Sequence, residues 1–410
     1  MIQCTVQGLA VLVLTVLMCA APALAWEYNL QDTARGKDEW RVTSDELGVR
    51  TAHPFSVTTR ALHGGREEGV TVVEIDNGRM KIRVCPTRGM GVLDAVAGGV
   101  RLGWNSPVKE IVNPAFMNLE SRGGLGWLDG FNELVVRCGY EWTGHPGIDN
   151  GVLLTLHGRA ENTPAADVFL TIDKKVPHAI HLSGVIREQM FKKVNFHTRA
   201  ELVTEPGSLS FTLHDVLTNA GSYPQEYQVL YHSNFGPPLL EKGAKFSAPV
   251  KEVSPFNVYA EKDLDTWQSY RGPTPGFDEM VYNIYPLGDD NGHSLAVLHN
   301  AAGSKGVSLA FNLKQLPVLS LWKNTDTLEQ GYVTGLEPGT SLAYNRRFQR
   351  ALGLVPKIGP HETRQFDLTY TLLDDHAAVA GALQRVASIQ GDRKTAVKAE
   401  PPVDLVHNPE

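Results

Sequence analysis

The chain is 410 residues long, enough for one large β domain or two ordinary ones, and 42% of its residues are hydrophobic against 20% charged, the balance of a folded soluble protein. A formal net charge of -7 excludes the broad basic footprint that nucleic-acid binding requires. None of the four cysteines sits in a CxxC pair of the kind that holds structural zinc.

The first 25 residues stand apart from the rest. Leu9 to Met18 is a short apolar run and Ala23-Leu24-Ala25 a small-x-small ending, the pattern of a cleavable export signal at 1–25, although its leading segment carries no Lys or Arg. The apolar run is too short to span a bilayer, so the expectation is an exported protein, periplasmic or extracellular, with no membrane span in its mature form. Cleavage leaves Cys85 and Cys138, either paired or as two small buried thiols. Residues 26–64 read as an N-terminal extension, ending near Leu62-His63-Gly64-Gly65, a weak candidate for a site.

From about Val70 the pattern turns to period two, broken by turn residues. Runs at 70–75, 80–84 and 101–104 are β-rich and separated by Asp76-Asn77-Gly78 and Gly98-Gly99. Between the first pair and the third, Arg88-Gly89-Met90-Gly91 imitates a dinucleotide loop but lacks the third glycine and the following helix; it reads as a tight strand-to-strand turn with Arg88 as a candidate ligand contact. Residues 123–144, GGLGWLDGFNELVVRCGYEWTG, are dense in glycine, tryptophan and charge. This is either a long loop covering the end of a sandwich or a sugar-binding lip, in which aromatic faces such as Trp127 pack on C–H groups while Asp129, Glu133 or Arg137 take hydroxyls.

Further strands are expected at 153–157, 168–172, 179–186, 196–203 and 209–218, with Pro206-Gly207-Ser208 as the turn between the last two. At the end of the first of these, Leu156-His157-Gly158-Arg159 sets a histidine and an arginine around a glycine that admits close approach of a ligand. Tyr231-His232-Ser233-Asn234-Phe235-Gly236 runs polar side chains straight into Pro237-Pro238, which stop the strand. A histidine there titrates near neutrality and can give and retake a proton without a cofactor. Later, Trp322 lies in the run LSLWKN, and Gly335-Leu336-Glu337-Pro338-Gly339 places one carboxylate in apolar, turn-forming surroundings. That carboxylate is either exposed on the turn or partly buried, and in the second case its pKa is raised and it becomes usable as a general base near neutral pH. Helical periodicity is convincing only over 375–389, and residues 390–410, polar and proline-containing, read as a disordered tail. Nothing marks a linker, so residues 65–389 read as one all-β domain, a sandwich or a barrel.

The order of these elements resembles the galactose mutarotase-like (aldose 1-epimerase) superfamily: Leu156-His157-Gly158-Arg159, then Asn219, Tyr231-His232-Ser233-Asn234-Phe235, Trp322 and Glu337-Pro338. The strings PTRGMG, GWLDGFNELVVRCG, LHGRAENTPA and YHSNFG are similar to the branch known as domain of unknown function 4432, over roughly residues 65–375. The resemblance implies a β-supersandwich with a short C-terminal helix whose concave face binds a sugar. It implies that Glu337 takes the proton of the anomeric hydroxyl, that His232 gives one to the ring oxygen, and that His157 holds the ring-oxygen region. Arg137, Arg88, Arg159, Asn234, Trp127, Asp129 and Trp322 are the expected substrate contacts, with Asp129 or Asp265 as the carboxylate for distal hydroxyls. No metal, cofactor or nucleic-acid partner is implied. The chain departs from the superfamily pattern at Arg137-Cys138-Gly139, at Arg159 and at Ser233-Asn234. Two other readings stand beside this one: an epimerase or lyase on an oxidised sugar, with His232 and Glu226 holding a divalent metal, and a carbohydrate-binding protein without catalysis.

Overall fold

The computed structural model describes residues 24–404, so the expected export signal lies outside the described residues except for its last two positions. Among the described residues no helix is long and apolar enough to cross a membrane. The strand Ser210–Asn219 illustrates why the chain forms sheets: Phe211, Leu213 and Leu217 are buried while every alternate position is half-exposed. A period of two lays the apolar residues on one face, and the face must find another sheet.

Two antiparallel sheets do this. The smaller, of nine strands, runs in the order Ala25–Asn29, Ala166–Asp173, Ile180–Gln189, Asn195–Thr204, Ser210–Asn219, Thr363–Leu373, Gly306–Asn312, His293–His299 and Lys245–Ser247. The larger, of thirteen, has at its centre Gly91–Ala97, Val135–Tyr140, Gln228–Phe235, Val333–Gly339 and Val318–Asn324 in that spatial order. Residues such as Leu213 and Leu217 from one sheet and Val229, Tyr231, Leu321 and Leu336 from the other form the core between them. Each such burial stabilises by about 1.5–3 kcal/mol. An ion pair crosses the same core: Arg137 Nε lies 2.6 Å from Asp215 Oδ2, which also accepts the Tyr231 hydroxyl at 2.8 Å. Cys85 and Cys138 are free and buried, and burial pushes the Cys85 thiol up to about 12.

Both ends differ from the expected boundaries. The N-terminal extension is part of the sandwich: Ala25–Asn29 pairs with Ala166–Asp173, and Glu39–Thr43 and Ser56–Ala61 continue the larger sheet. The predicted helix forms as His376–Gln390, with Asp375 accepting the Ala378 N–H at 2.7 Å, and it packs on Leu295, Val297 and Leu373. Of the segment expected as a disordered tail, residues 391–404 dock instead, and residues 405–410 lie outside the described residues. Ala396–Val397 pairs parallel with Glu252 and Val253, and Val403 is buried against Phe256 and Tyr344. Edge pairing satisfies backbone groups of the Val250–Pro255 strand and needs no apolar pattern in the docking segment, which is why composition alone hid it.

Candidate functional site

The strands at the centre of the larger sheet are buried on both faces, the inner by the other sheet and the outer by loops. In Gln228–Phe235, Val229, Tyr231 and Phe235 point into the core, so Leu230, His232 and Asn234 point outward. In Val333–Gly339, Leu336 points inward and Val333, Gly335 and Glu337 outward. The register pairing Ser233 with Leu336 and Leu230 with Gly339 sets His232 opposite Glu337. His232 Nε2 consequently lies 3.2 Å from Glu337 Oε1. On the next strand Trp322 pairs with Gly335; a Cβ added at Gly335 would sit 2.3 Å from Glu337 Oε1 and 3.2 Å from the Trp322 ring. Only glycine leaves room for both side chains on this face.

His157 enters from a different element. The expected strand over 153–157 stops at Leu154, and the chain turns so that His157 takes φ 56° and Gly158 φ 80°. A Cβ at Gly158 would lie 2.4 Å from the Trp142 carbonyl oxygen, so the tight approach of this turn to the sheet depends on glycine. The turn delivers the His157 ring to 5.2 Å from that of His232 and 4.9 Å from that of Trp127, centroid to centroid. Trp127 and Phe131, from the Gly-rich segment, and Trp322 complete an aromatic wall, with the Phe131 and Trp322 rings 5.2 Å and 5.4 Å from His232. The cavity is about 110 Å³, with His157, His232 and Glu337 at its polar end, and Leu125, Leu128, His145, Glu279, Val281 and Ala343 among its other lining residues.

Burial sets the electrostatics. It pulls the His232 imidazole down to about 4, against a hydrogen bond from the ring to Asn234, and it lowers His157 strongly, helped by His232 and His145. It raises the Glu337 carboxyl well above the ordinary range, and nearby Glu279 adds to the rise. The free pair therefore favours its uncharged form, proton on Glu337 and neutral His232. His157 Nδ1 and Trp127 Nε1 are buried without a hydrogen-bond partner among the described residues. Such groups cost about 1–3 kcal/mol each when left unsatisfied, so their convergence on one cavity marks a place built for a polar ligand.

The structure thus gathers Glu337, His232, His157, Trp127 and Trp322 in one pocket, and it places the other predicted contacts elsewhere. Arg137 faces the core and is held by Asp215. Arg88 is fully buried in its turn, its Nε 2.5 Å from Glu133 Oε1, with Glu161, Asn162 and the Gly130 carbonyl as further partners. Neither guanidinium is available to a substrate, because a charge this deep needs its partners. Arg159 lies over the Trp142 ring beside Glu188 and Glu141, in a separate hollow of about 790 Å³. Asn234 does not line the pocket; its Oδ1 meets His232 Nδ1 at 2.7 Å and orients the imidazole. Asp129 and Asp265 are exposed and line no part of the cavity, and His63 is exposed, bonded to Glu68 and Asp38. Glu226 pairs with Arg350 at 2.7 Å, so the metal site imagined with His232 has no such ligand. Among the described residues no cluster of three or more His, Cys, Asp or Glu is arranged to hold a metal ion. Two ionisable lining residues escaped the sequence reading, His145 and Glu279, the latter accepting the Trp322 indole N–H at 2.7 Å.

Two facing sheets, with a histidine–glutamate pair on the outer face of the larger, match solved structures of the galactose mutarotase-like fold. A crystal structure of a candidate aldose 1-epimerase from Klebsiella pneumoniae matches with a TM-score of 0.90 at 52% identity, covering 93% of this chain and 100% of that one. A galactose mutarotase-like protein from Clostridium acetobutylicum shares the fold at 13% identity and a TM-score of 0.52, over 82% of this chain and 99% of its own. The family model described as domain of unknown function DUF4432 matches residues 67–372, and the chain belongs to that family. No curated protein matches the sequence.

Proposed function

We propose that the protein is an aldose 1-epimerase-like isomerase that interconverts the anomers of a free sugar by opening and reclosing its ring. The observation that carries this reading is the buried His232–Glu337 pair, 3.2 Å apart at the polar end of an aromatic-walled pocket. In the free site the shared proton rests on Glu337. A sugar hydroxyl donating to the carboxyl stabilises the carboxylate, and the proton passes to His232. His232 then protonates the ring oxygen while Glu337 takes the proton of the anomeric hydroxyl, the C1–O5 bond breaks, and an open-chain aldehyde forms. Rotation about C1–C2 and the reverse transfers close the other anomer, so the pair ends as it began. His157, held neutral, and Trp127 offer unpaired nitrogen atoms to the sugar's oxygens. The charges that develop are met by positioned protons, so this route needs no cofactor. The export signal expected at residues 1–25 supports a reading in which the substrate is a sugar outside the cytoplasm.

The test is anomer exchange followed by NMR on free hexoses and pentoses, with binding measured by calorimetry. Glu337→Gln is expected to lower kcat by about 10²–10⁴-fold, the contribution of positioned acid–base groups, while sugar binding survives. Undiminished exchange in that variant would sink the mechanism, and binding without exchange in the unaltered protein would favour a non-catalytic carbohydrate-binding protein.

A further inference from the structure

The pocket has a one-sided charge inventory. Two acidic side chains line it, Glu337 at the buried end, which holds its proton in the free site, and Glu279 at the exposed edge, and among the described lining residues there is no lysine or arginine. The guanidiniums that could have neutralised an acidic ligand are all engaged outside it: Arg88 with Glu133, Arg137 with Asp215, and Arg159 with Glu188. His157 and His232 bring no compensating charge, since burial holds both imidazoles neutral near neutral pH. Glu279, though exposed, is not free to swing aside, because its Oε2 accepts the Trp322 N–H at 2.7 Å and Trp322 is itself a wall of the pocket. A carboxylate fixed at the entrance to a partly desolvated cavity repels a second anion more strongly than it would in water. Rejection of a wrong ligand by an unpaired like charge is an efficient route to specificity.

We infer that Glu279 is a specificity-determining residue that excludes anionic sugars, so that the pocket selects a neutral monosaccharide over the corresponding uronate or sugar phosphate. The inference rests on the aldose 1-epimerase-like reading for its ligand class and adds the chemical selection within that class. It also argues against an oxidised sugar as the natural ligand, because the carboxylate of such a ligand would enter beside Glu279 with no cation to receive it.

Matched sugars test it on the full chain: glucose against glucuronate and glucose 6-phosphate, and galactose against galacturonate, each by calorimetry and by anomer exchange at low and high salt. The unaltered protein is expected to prefer the neutral member of each pair, with the preference shrinking as salt rises. In Glu279→Gln, whose amide oxygen still accepts the Trp322 N–H, the ratio of uronate to neutral-sugar kcat/KM should rise about tenfold, and Glu279→Lys should raise it further. Trp322→Phe, which releases Glu279 but keeps its charge, should shift the ratio less than Glu279→Gln does. Equal or better use of the uronate by the unaltered protein overturns the inference, as does a ratio unmoved in both Glu279 variants. Failure of the parent reading looks different: no sugar of either charge binds, and the inference falls with it.

Discussion

His232 is a histidine kept uncharged by its surroundings, and that has a thermodynamic signature separate from any activity. Its imidazole, at about 4 in the folded protein, has an ordinary value of 6.5 in the unfolded chain. Between those values the unfolded state takes up a proton that the folded state refuses, so the stability His232 contributes is fully present above pH 6.5 and is lost as pH falls through 4. Glu337 runs the opposite way. Its raised carboxyl favours the folded state below the ordinary value of 4.5 and loses that contribution as pH rises through its folded pKa. The expected outcome is that His232→Gln flattens the acid limb of the stability curve. Between pH 7 and 4, measured by urea unfolding, the unaltered protein should lose up to about 3 kcal/mol more than the variant. Equal losses in the two proteins would mean that the imidazole is solvated and the pocket wetter than its burial indicates.

At the level of strands, alternation in the sequence located most elements but not the faces they present. The runs at 70–75, 80–84 and 196–203 correspond to Thr71–Asp76, Lys81–Cys85 and Asn195–Thr204. Inside the larger sheet the alternation vanishes, because Gln228–Phe235 and Val333–Gly339 are buried at every position. That is why Arg137 was expected to face a ligand: its partner Asp215 stands on the other sheet, 78 positions away, and nothing in the local sequence announces it. His232 and Glu337 were legible because a polar residue beside a strand stop and a carboxylate among apolar neighbours are unusual in themselves. Glu279 and His145 carry no such local mark; the folded sheet alone brings them to the pocket. Gly335 was legible only as part of a turn-forming string, whereas it lies within Val333–Gly339, opposite Trp322. Gly335→Ala tests that new role. Its methyl would press on Glu337 and Trp322, which is expected to cost about 1–3 kcal/mol in stability and to lower anomer exchange by far more than that loss of folded protein explains. Exchange per folded molecule equal to that of the unaltered protein would show that the carboxylate position is not set by this contact.

Across the whole molecule the question is how much chain the sandwich needs. The family model spans 67–372, yet strands before it belong to both sheets, and the match to the Klebsiella structure covers 93% of the chain. Leu30, Val42, Phe55 and Val57, all before residue 65, are at most 5% exposed and sit in the main core. Removing them forfeits roughly 6–12 kcal/mol of burial at about 1.5–3 kcal/mol each, as much as the entire net stability of many domains. It also strips Ser56–Ala61 from Thr71–Asp76 and leaves a long unpaired edge on the larger sheet. A chain beginning at residue 65 is therefore expected to be insoluble or to unfold without a cooperative transition, whereas one beginning at residue 26 retains both sheets. Thermal unfolding followed by circular dichroism checks this. A soluble 65–410 fragment with a sharp transition near that of the longer chain would return residues 26–64 to the status of an appendage and confine the fold that positions His232 and Glu337 to the family segment.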